Sequence, residues 1–194
     1  MQTLTFELPE HVALHVSQAE FAAIAAANRD LRLERTAKGT LIVSPPTGSG
    51  SSKRNLGITA QLWNWAEARA DLGVAFESSG GFTLPNGAIR APDAAWVRRD
   101  RWDALSPDEK EGFAPLCPDF VVELRSKTDS LSSLQAKMRE YMENGGRLGW
   151  LVDPQNQQVE IYRSSQEVQV LEQPDRLFGE DILLGFTLKL RGIL

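Results

Sequence analysis

Asp93 and Glu123 stand thirty residues apart, each on a segment in which a Pro-Asp pair opens an apolar run: Ala91-Pro92-Asp93-Ala94-Ala95-Trp96-Val97, and Cys117-Pro118-Asp119-Phe120-Val121-Val122-Glu123-Leu124. A carboxylate among Phe, Val and Leu is costly to bury unless something pairs with it, and a divalent cation or a lysine is the natural partner. Lys137 follows on what reads as the next helix, so two acids and a base fall within 45 residues. Two carboxylates, a backbone carbonyl such as that of Leu124, and waters make an all-oxygen site suited to Mg²⁺ or Mn²⁺. Such an ion stabilises charge on a transferring phosphoryl oxygen and activates water, while a lysine takes the proton or neutralises the transition state. That chemistry is phosphodiester hydrolysis.

The elements that must position these groups are a pair of strands and a helix. In a strand Asp119, Val121, Glu123 and Arg125 share one face, and Phe120, Val122 and Leu124 share the other. On a helix over Asp129 to Asn144 the residues Leu131, Leu134, Met138, Tyr141 and Met142 form an apolar stripe. Lys137 lies on its shoulder, three residues from Leu134 and four from Tyr141, and so can turn its ammonium toward Glu123. Gln135 sits nearer the middle of the stripe, where an amide needs a buried partner. Asp93 at the start of one strand and Glu123 at the end of another converge if the two strands are neighbours.

The remaining elements follow from periodicity and turn chemistry. Ser17 to Asn28 reads as a helix with a capping Ser and a Glu three residues on. Leu31 to Leu33 and Thr40 to Val43 flank a Lys38-Gly39 turn as a hairpin, and SPPTGSGSSK reads as loop. A helix over Arg54 to Ala70 carries Ile58, Leu62, Trp63, Trp65 and Ala66, with Gly73 as a stop. Val74 to Phe76, Gly81 to Leu84 and Ala91 to Val97 are strand signals, with Pro85-Asn86-Gly87 as a turn. A one-turn helix near Pro107 to Gly112 precedes the strand Phe120 to Leu124, and Gly149 to Val152 pairs with Gln158 to Tyr162 around Asp153-Pro154-Gln155-Asn156. Ile182 to Leu190 alternates too little to assign. The order predicts one α/β domain over residues 1–194, with a mixed sheet and helices around it.

Composition narrows the function classes. With 42% apolar and 24% charged residues the chain has a full core and ordinary solubility. It has no apolar run of about 18 residues, and its N-terminus, MQTLTFELPEH, lacks a basic region followed by an apolar stretch. The expectation is a cytoplasmic protein without a membrane partner. The single cysteine, Cys117, excludes a disulfide framework and reads as a packed thiol. A net charge of -5 argues against indiscriminate nucleic-acid binding but leaves room for a local basic groove. His11 and His15 are four apart, yet no third zinc ligand is near; Thr47 to Lys53 lacks phosphate-loop spacing. Lys53, Arg54, Arg98, Arg99 and Arg101 are candidates for contacts to a nucleic-acid backbone, and Trp102 for stacking on a base. The other tryptophans read mostly as core, and Asp119 as a turn former.

As a set, PDAAWV, PDFVVELRSKTDSLSSLQAKMREY, GWLVDP and VEIYR resemble the Uma-two family of the PD-(D/E)xK nuclease superfamily, over roughly Leu33 to Arg163. The resemblance implies a restriction-endonuclease-like core, a mixed β-sheet flanked by helices, in which Asp93 and Glu123 hold Mg²⁺ or Mn²⁺. It implies an endonuclease acting on nucleic acid, DNA ahead of RNA, and it suggests a homodimer. The superfamily's lysine stands two residues after the acid, where this chain has Arg125; Lys137 matches the family's relocated lysine. Lys137-x-x-x-Tyr141 resembles a Gln-x-x-x-Tyr helix element of relatives. The acid common before that lysine is replaced by Ser133, with Asp129 as the available substitute, and Glu34 resembles a further family acid. Glu34, Arg125 and Tyr141 are thus expected to line the site, and Gln135 either to line it or to be a satisfied core amide. Arg125 and Ser133 also motivate the alternative, a catalytically inactive nucleic-acid-binding or protein-interaction domain on the same scaffold. A metal-independent hydrolase ranks last, because both histidines lie near the N-terminus and no Ser-His-Asp set can be assembled.

Overall fold

The structure is a computed structural model that describes residues 13–194. His11 and most of the N-terminal segment lie outside the described residues. Ser17 opens α1 (Gln18–Ala27) with a capping box, its hydroxyl accepting from the Glu20 N–H while Glu20 accepts from the Ser17 N–H. A hairpin of β1 (Arg32–Arg35) and β2 (Leu41–Ser44) follows, then α2 (Ser49–Glu67), β3 (Gly73–Glu77), β4 (Phe82–Thr83), β5 (Ile89–Arg90) and β6 (Ala94–Arg98). The short helices α3 (Arg99–Asp103) and α4 (Pro107–Glu111) lead into β7 (Phe120–Leu124), α5 (Leu131–Glu143) and the hairpin β8 (Leu148–Asp153) and β9 (Gln158–Arg163). The chain closes with β10 (Gln169–Glu172), β11 (Arg176–Phe178) and β12 (Thr187–Lys189).

The central sheet has the order β10-β9-β8-β7-β6-β3. It is mixed: β7 and β8 run parallel, joined by α5 as the crossover such a pair requires, and the other neighbours run antiparallel. A smaller sheet, β2-β1-β5-β4, stands beside it, and β11 pairs with β12. Alternation along β7 sorts its side chains. Phe120, Val122 and Leu124 join Trp96, Trp150 and the Ile58, Leu62 and Trp65 face of α2 in one core; Val121 joins Met138 and Tyr141 of α5 in the other. Edge-to-face contacts at 4.7 Å between Phe120 and Trp150 and 5.9 Å between Trp65 and Trp96 knit the first core. The architecture is the expected α/β arrangement of a mixed sheet flanked by helices, and β7 is buried at every position.

Several expectations are corrected. Helix α2 begins at Ser49, so the second half of SPPTGSGSSK is its first turn. The first four N–H groups of any helix lack partners inside it, so Ser and Gly cost least there, and the packing of Ile58, Leu62 and Trp65 holds the helix down. Trp63 is 51% exposed, because its neighbours Leu62 and Trp65 take the inward positions. Helix α3 and strands β10 to β12 form where no clear periodic signal marks them. Asp119 is buried rather than a surface turn former: its Oδ2 accepts the Arg98 N–H at 3.0 Å and pairs with Arg101 at 2.9 Å. Arg98 pairs with Asp100, and Arg99 donates to the Ala70 carbonyl. These arginines sit at the end of β6 opposite Asp93, about 16 Å of strand away. Trp102 packs on Phe76 at 5.0 Å beneath Lys110. Cys117 is buried, as read, with burial pushing its thiol up to about 12. Among the described residues no helix is long and apolar enough to cross a membrane.

Candidate active site

A cleft of about 1190 Å³ lies between the β1–β2 hairpin, the start of α2 and the face of α5. Asp93 and Glu123 both line it, and they meet because β6 and β7 are adjacent and antiparallel, which brings the start of one beside the end of the other. Asp93 is fixed from two sides. Its Oδ2 accepts the Leu124 N–H at 2.8 Å, and its Oδ1 accepts from Arg32 Nη1 at 3.0 Å, while Arg32 Nη2 donates to the Ala91 carbonyl at 2.8 Å. In an extended strand the N–H and C=O of one residue point to the same side, so the Leu124 carbonyl is directed toward Asp93 as well.

Glu123 projects from the α5 face of β7. Lys137 Nζ reaches it at 2.8 Å, and Tyr141, one turn along α5, donates its hydroxyl to the same Oε1 at 3.0 Å. Glu123 Oε2 takes no hydrogen bond from the described residues, and the side chain opens on the cleft. Lys137 has a second carboxylate, Glu34 Oε1, at 2.7 Å. Glu34 comes from β1 and also accepts the Ala91 N–H at 3.0 Å and Arg90 Nη1 at 3.2 Å; Arg90 in turn holds Glu140 of α5 at 2.6 Å. Four carboxylates, Glu34, Asp93, Glu123 and Glu140, therefore face three cations, Arg32, Arg90 and Lys137, so that one negative charge is left over when all four acids are ionised.

Burial pushes the Glu123 carboxyl up to about 7, the charges of Asp93 and Glu34 adding to the shift and Lys137 opposing it. Burial also works against the charged forms of Glu34 and Lys137, but the charges around them prevail: Lys137 holds Glu34 below the usual carboxylate range, and Glu123 with Glu34 raises Lys137. Tyr141 is raised well above its ordinary value by burial and by Glu123, so it stays protonated and donates.

The structure brings Asp93, Glu123, Leu124, Lys137, Glu34 and Tyr141 together. Two other residues expected at the site lie elsewhere. Arg125 pairs with Asp153 at 2.8 Å, and Gln135 donates to Glu160 at 2.7 Å; neither lines the cleft. Asp129 reaches only the cleft rim, where it accepts the Ser126 N–H at 2.8 Å. The second acid at Lys137 is instead Glu34, which comes from the other sheet. Sequence reasoning missed Arg32, Arg90 and Glu140. Arg32 was marked by its place two residues before Glu34 on one strand face, and Glu140 by its place three residues after Lys137 on one helix face.

This geometry bears on a divalent ion. Among the described residues no three His, Cys, Asp or Glu side chains cluster as a ready metal cage. The donor chemistry nonetheless suits an ion that keeps several waters: Asp93, Glu123 and the Leu124 backbone all offer oxygens at the cleft.

Residues 18–191 match the Uma2 family, whose description is "Putative restriction endonuclease". The chain belongs to the Uma2 family. Its fold is also that of a solved relative, the crystal structure of "a putative nuclease belonging to DUF820" from Anabaena variabilis ATCC 29413. The two superpose with a TM-score of 0.71 at 20% identity, over 83% of this chain and 88% of the other. Among curated proteins no relative matches. Uma2 membership supports a restriction-endonuclease-like nuclease, a class whose substrate is nucleic acid. The Uma2 match spans every residue that forms the cleft.

Proposed function

We propose that this Uma2 protein hydrolyses phosphodiester bonds of nucleic acid, DNA in preference to RNA, with a divalent Mg²⁺ or Mn²⁺ ion held by Asp93, Glu123 and the Leu124 carbonyl. The observation that carries the reading is Lys137 Nζ at 2.8 Å from Glu123, beside an Asp93 that is anchored on the very next backbone N–H. A bound ion would supply Lewis-acid stabilisation of charge on a phosphoryl oxygen. Every other role falls to the chain. The Leu124 N–H sets the Asp93 carboxylate, and the Tyr141 hydroxyl fixes the Glu123 rotamer. Lys137 has three N–H donors, of which Glu34 and Glu123 take two, leaving one for a substrate oxygen. Its raised pKa favours the role of a charged stabiliser over that of a base.

The test is cleavage of plasmid DNA, single-stranded DNA and RNA with Mg²⁺ or Mn²⁺, with chelator as a control. Glu123→Gln should lower the rate by about a hundredfold or more. Activity that survives both chelator and that change would place the chemistry elsewhere.

One observation favours a second reading, a domain that binds without turnover: each inner carboxylate already has a cationic partner. Calorimetric titration with Mn²⁺ separates the two, since a binding domain of that kind would take up no ion.

A further inference from the structure

The three inner cations of the site are held very differently. Lys137 lies between two carboxylates, Glu34 and Glu123, and Arg90 between Glu34 and Glu140; their side chains are 12% and 10% exposed. Arg32 has one carboxylate, Asp93, and one backbone carbonyl, and its side chain is 35% exposed. A pair with one partner open to water contributes less than a cation buried between two acids, which is costly to disturb. Arg32 also holds Asp93 Oδ1, the carboxylate oxygen that is not engaged by the Leu124 N–H. Of the two Asp93 oxygens it is the one the backbone leaves to a divalent cation, and with the full positive charge of Arg32 about 3 Å from it the two cations repel strongly.

Resting on the nuclease reading, we propose that Arg32 is the displaceable cation of this site: it competes with the divalent ion for Asp93 Oδ1 and, once displaced, stands at the cleft wall to receive a nucleic-acid phosphate. The long, planar guanidinium suits both partners, since it matches carboxylate and phosphate oxygens equally well. Its backbone stays fixed in β1, paired with Ser44, so that only side-chain torsions need change. The exchange keeps the charge of the site close to balance, because the ion replaces a cation and the released cation meets an anion.

The experiment is a calorimetric titration of the full chain with MnCl₂, comparing wild type with Arg32→Met, and with Glu123→Gln as the control that removes a ligand. Arg32→Met should bind Mn²⁺ at least about tenfold more tightly than wild type. At saturating Mn²⁺ it should also raise KM for duplex DNA by about fivefold or more, because the phosphate contact is lost. Arg32→Lys, which keeps the charge but not the fork, should fall between the two and serves if Arg32→Met does not fold. Equal or weaker Mn²⁺ binding in Arg32→Met overturns the competition while leaving the metal-dependent reading intact. Tighter binding with an unchanged KM overturns the phosphate role. If neither wild type nor Arg32→Met binds Mn²⁺, the metal-dependent reading itself fails and the proposal with it.

Discussion

Asp93 Oδ2 accepts the backbone N–H of Leu124 at 2.8 Å. The same bond is made at the other end of the two strands, where Asp119 Oδ2 accepts the N–H of Arg98 at 3.0 Å. The pairing of β6 with β7 aligns Ala94 with Val122 and Trp96 with Phe120. Continued outward, that register sets Asp93 opposite Glu123 and Asp119 opposite Val97. Each aspartate thus closes the backbone one residue beyond its partner, and each is met by an arginine, Arg32 or Arg101. The repeated Pro-Asp signal is the two ends of an antiparallel pair, only one of which carries the site.

Asp119→Ala should therefore be costly to stability without touching metal affinity. It leaves the part-buried Arg98 N–H unsatisfied and Arg101 without its acid, for a loss of about 1 to 3 kcal/mol. Urea unfolding measures the first effect and Mn²⁺ calorimetry the second. A neutral Asp119→Ala would mean that Asp119 does not anchor the end of β6.

Lys137→Met should lower stability by about 3 to 5 kcal/mol at pH 8, since Glu34 and Glu123 then share a buried space with no ammonium between them. Adding Glu34→Gln should recover part of that loss, because the two side chains are in direct contact and their effects cannot add. Strict additivity in the double-mutant cycle would show that the pair is uncoupled.

Stability should depend on pH through both acids, in opposite senses. The folded value of Glu123, about 7, lies above its ordinary 4.5, so between these the folded protein keeps a proton that the unfolded chain has released. Its contribution is complete below pH 4.5 and is lost as pH rises through about 7. Glu34 is depressed below 4.5, so its contribution is present above that value and lost as pH falls through the folded value. In chelator at constant ionic strength, Tm should fall on going from pH 5 to pH 8, by an amount corresponding to on the order of 1 to 3 kcal/mol. Glu123→Gln should flatten that descent. The same slope in both proteins would assign it to another group.

Arg125→Lys should not restore activity to Lys137→Met, even though it puts a lysine at the superfamily's usual place. Position 125 is turned toward Asp153, which also accepts the backbone N–H of Gln155 and Asn156 in the β8–β9 turn. Arg125→Ala alone should cost about 1 to 3 kcal/mol in urea unfolding, with cleavage kept. Recovery of cleavage in the double variant would show that residue 125 can reach the cleft.

Much of this was legible in the residues themselves. Alternation in Phe120–Leu124 placed Glu123 on the face opposite Phe120 and Leu124, and helical spacing placed Lys137 on the shoulder of an apolar stripe, one turn from its member Tyr141. These relations are local: the period of a strand or a helix fixes which side chains share a face, whatever the rest of the chain does. The partners of Arg125 and Gln135 were not legible, because both depend on the neighbouring strands β8 and β9, which bring Asp153 and Glu160 to the same sheet face.

What the sequence by itself determined is the elements around the site and the side chains each presents: one acid at the head of β6, one inside β7, a lysine and a tyrosine on α5. Tertiary structure alone decided which of those side chains pair. Glu34 and Lys137 are 103 residues apart, and they meet at 2.7 Å only because the small sheet docks beside α5. Periodicity carries no information about contacts between elements distant in the chain; burial does, since every charge taken from water must find its counter-charge wherever the packing places one.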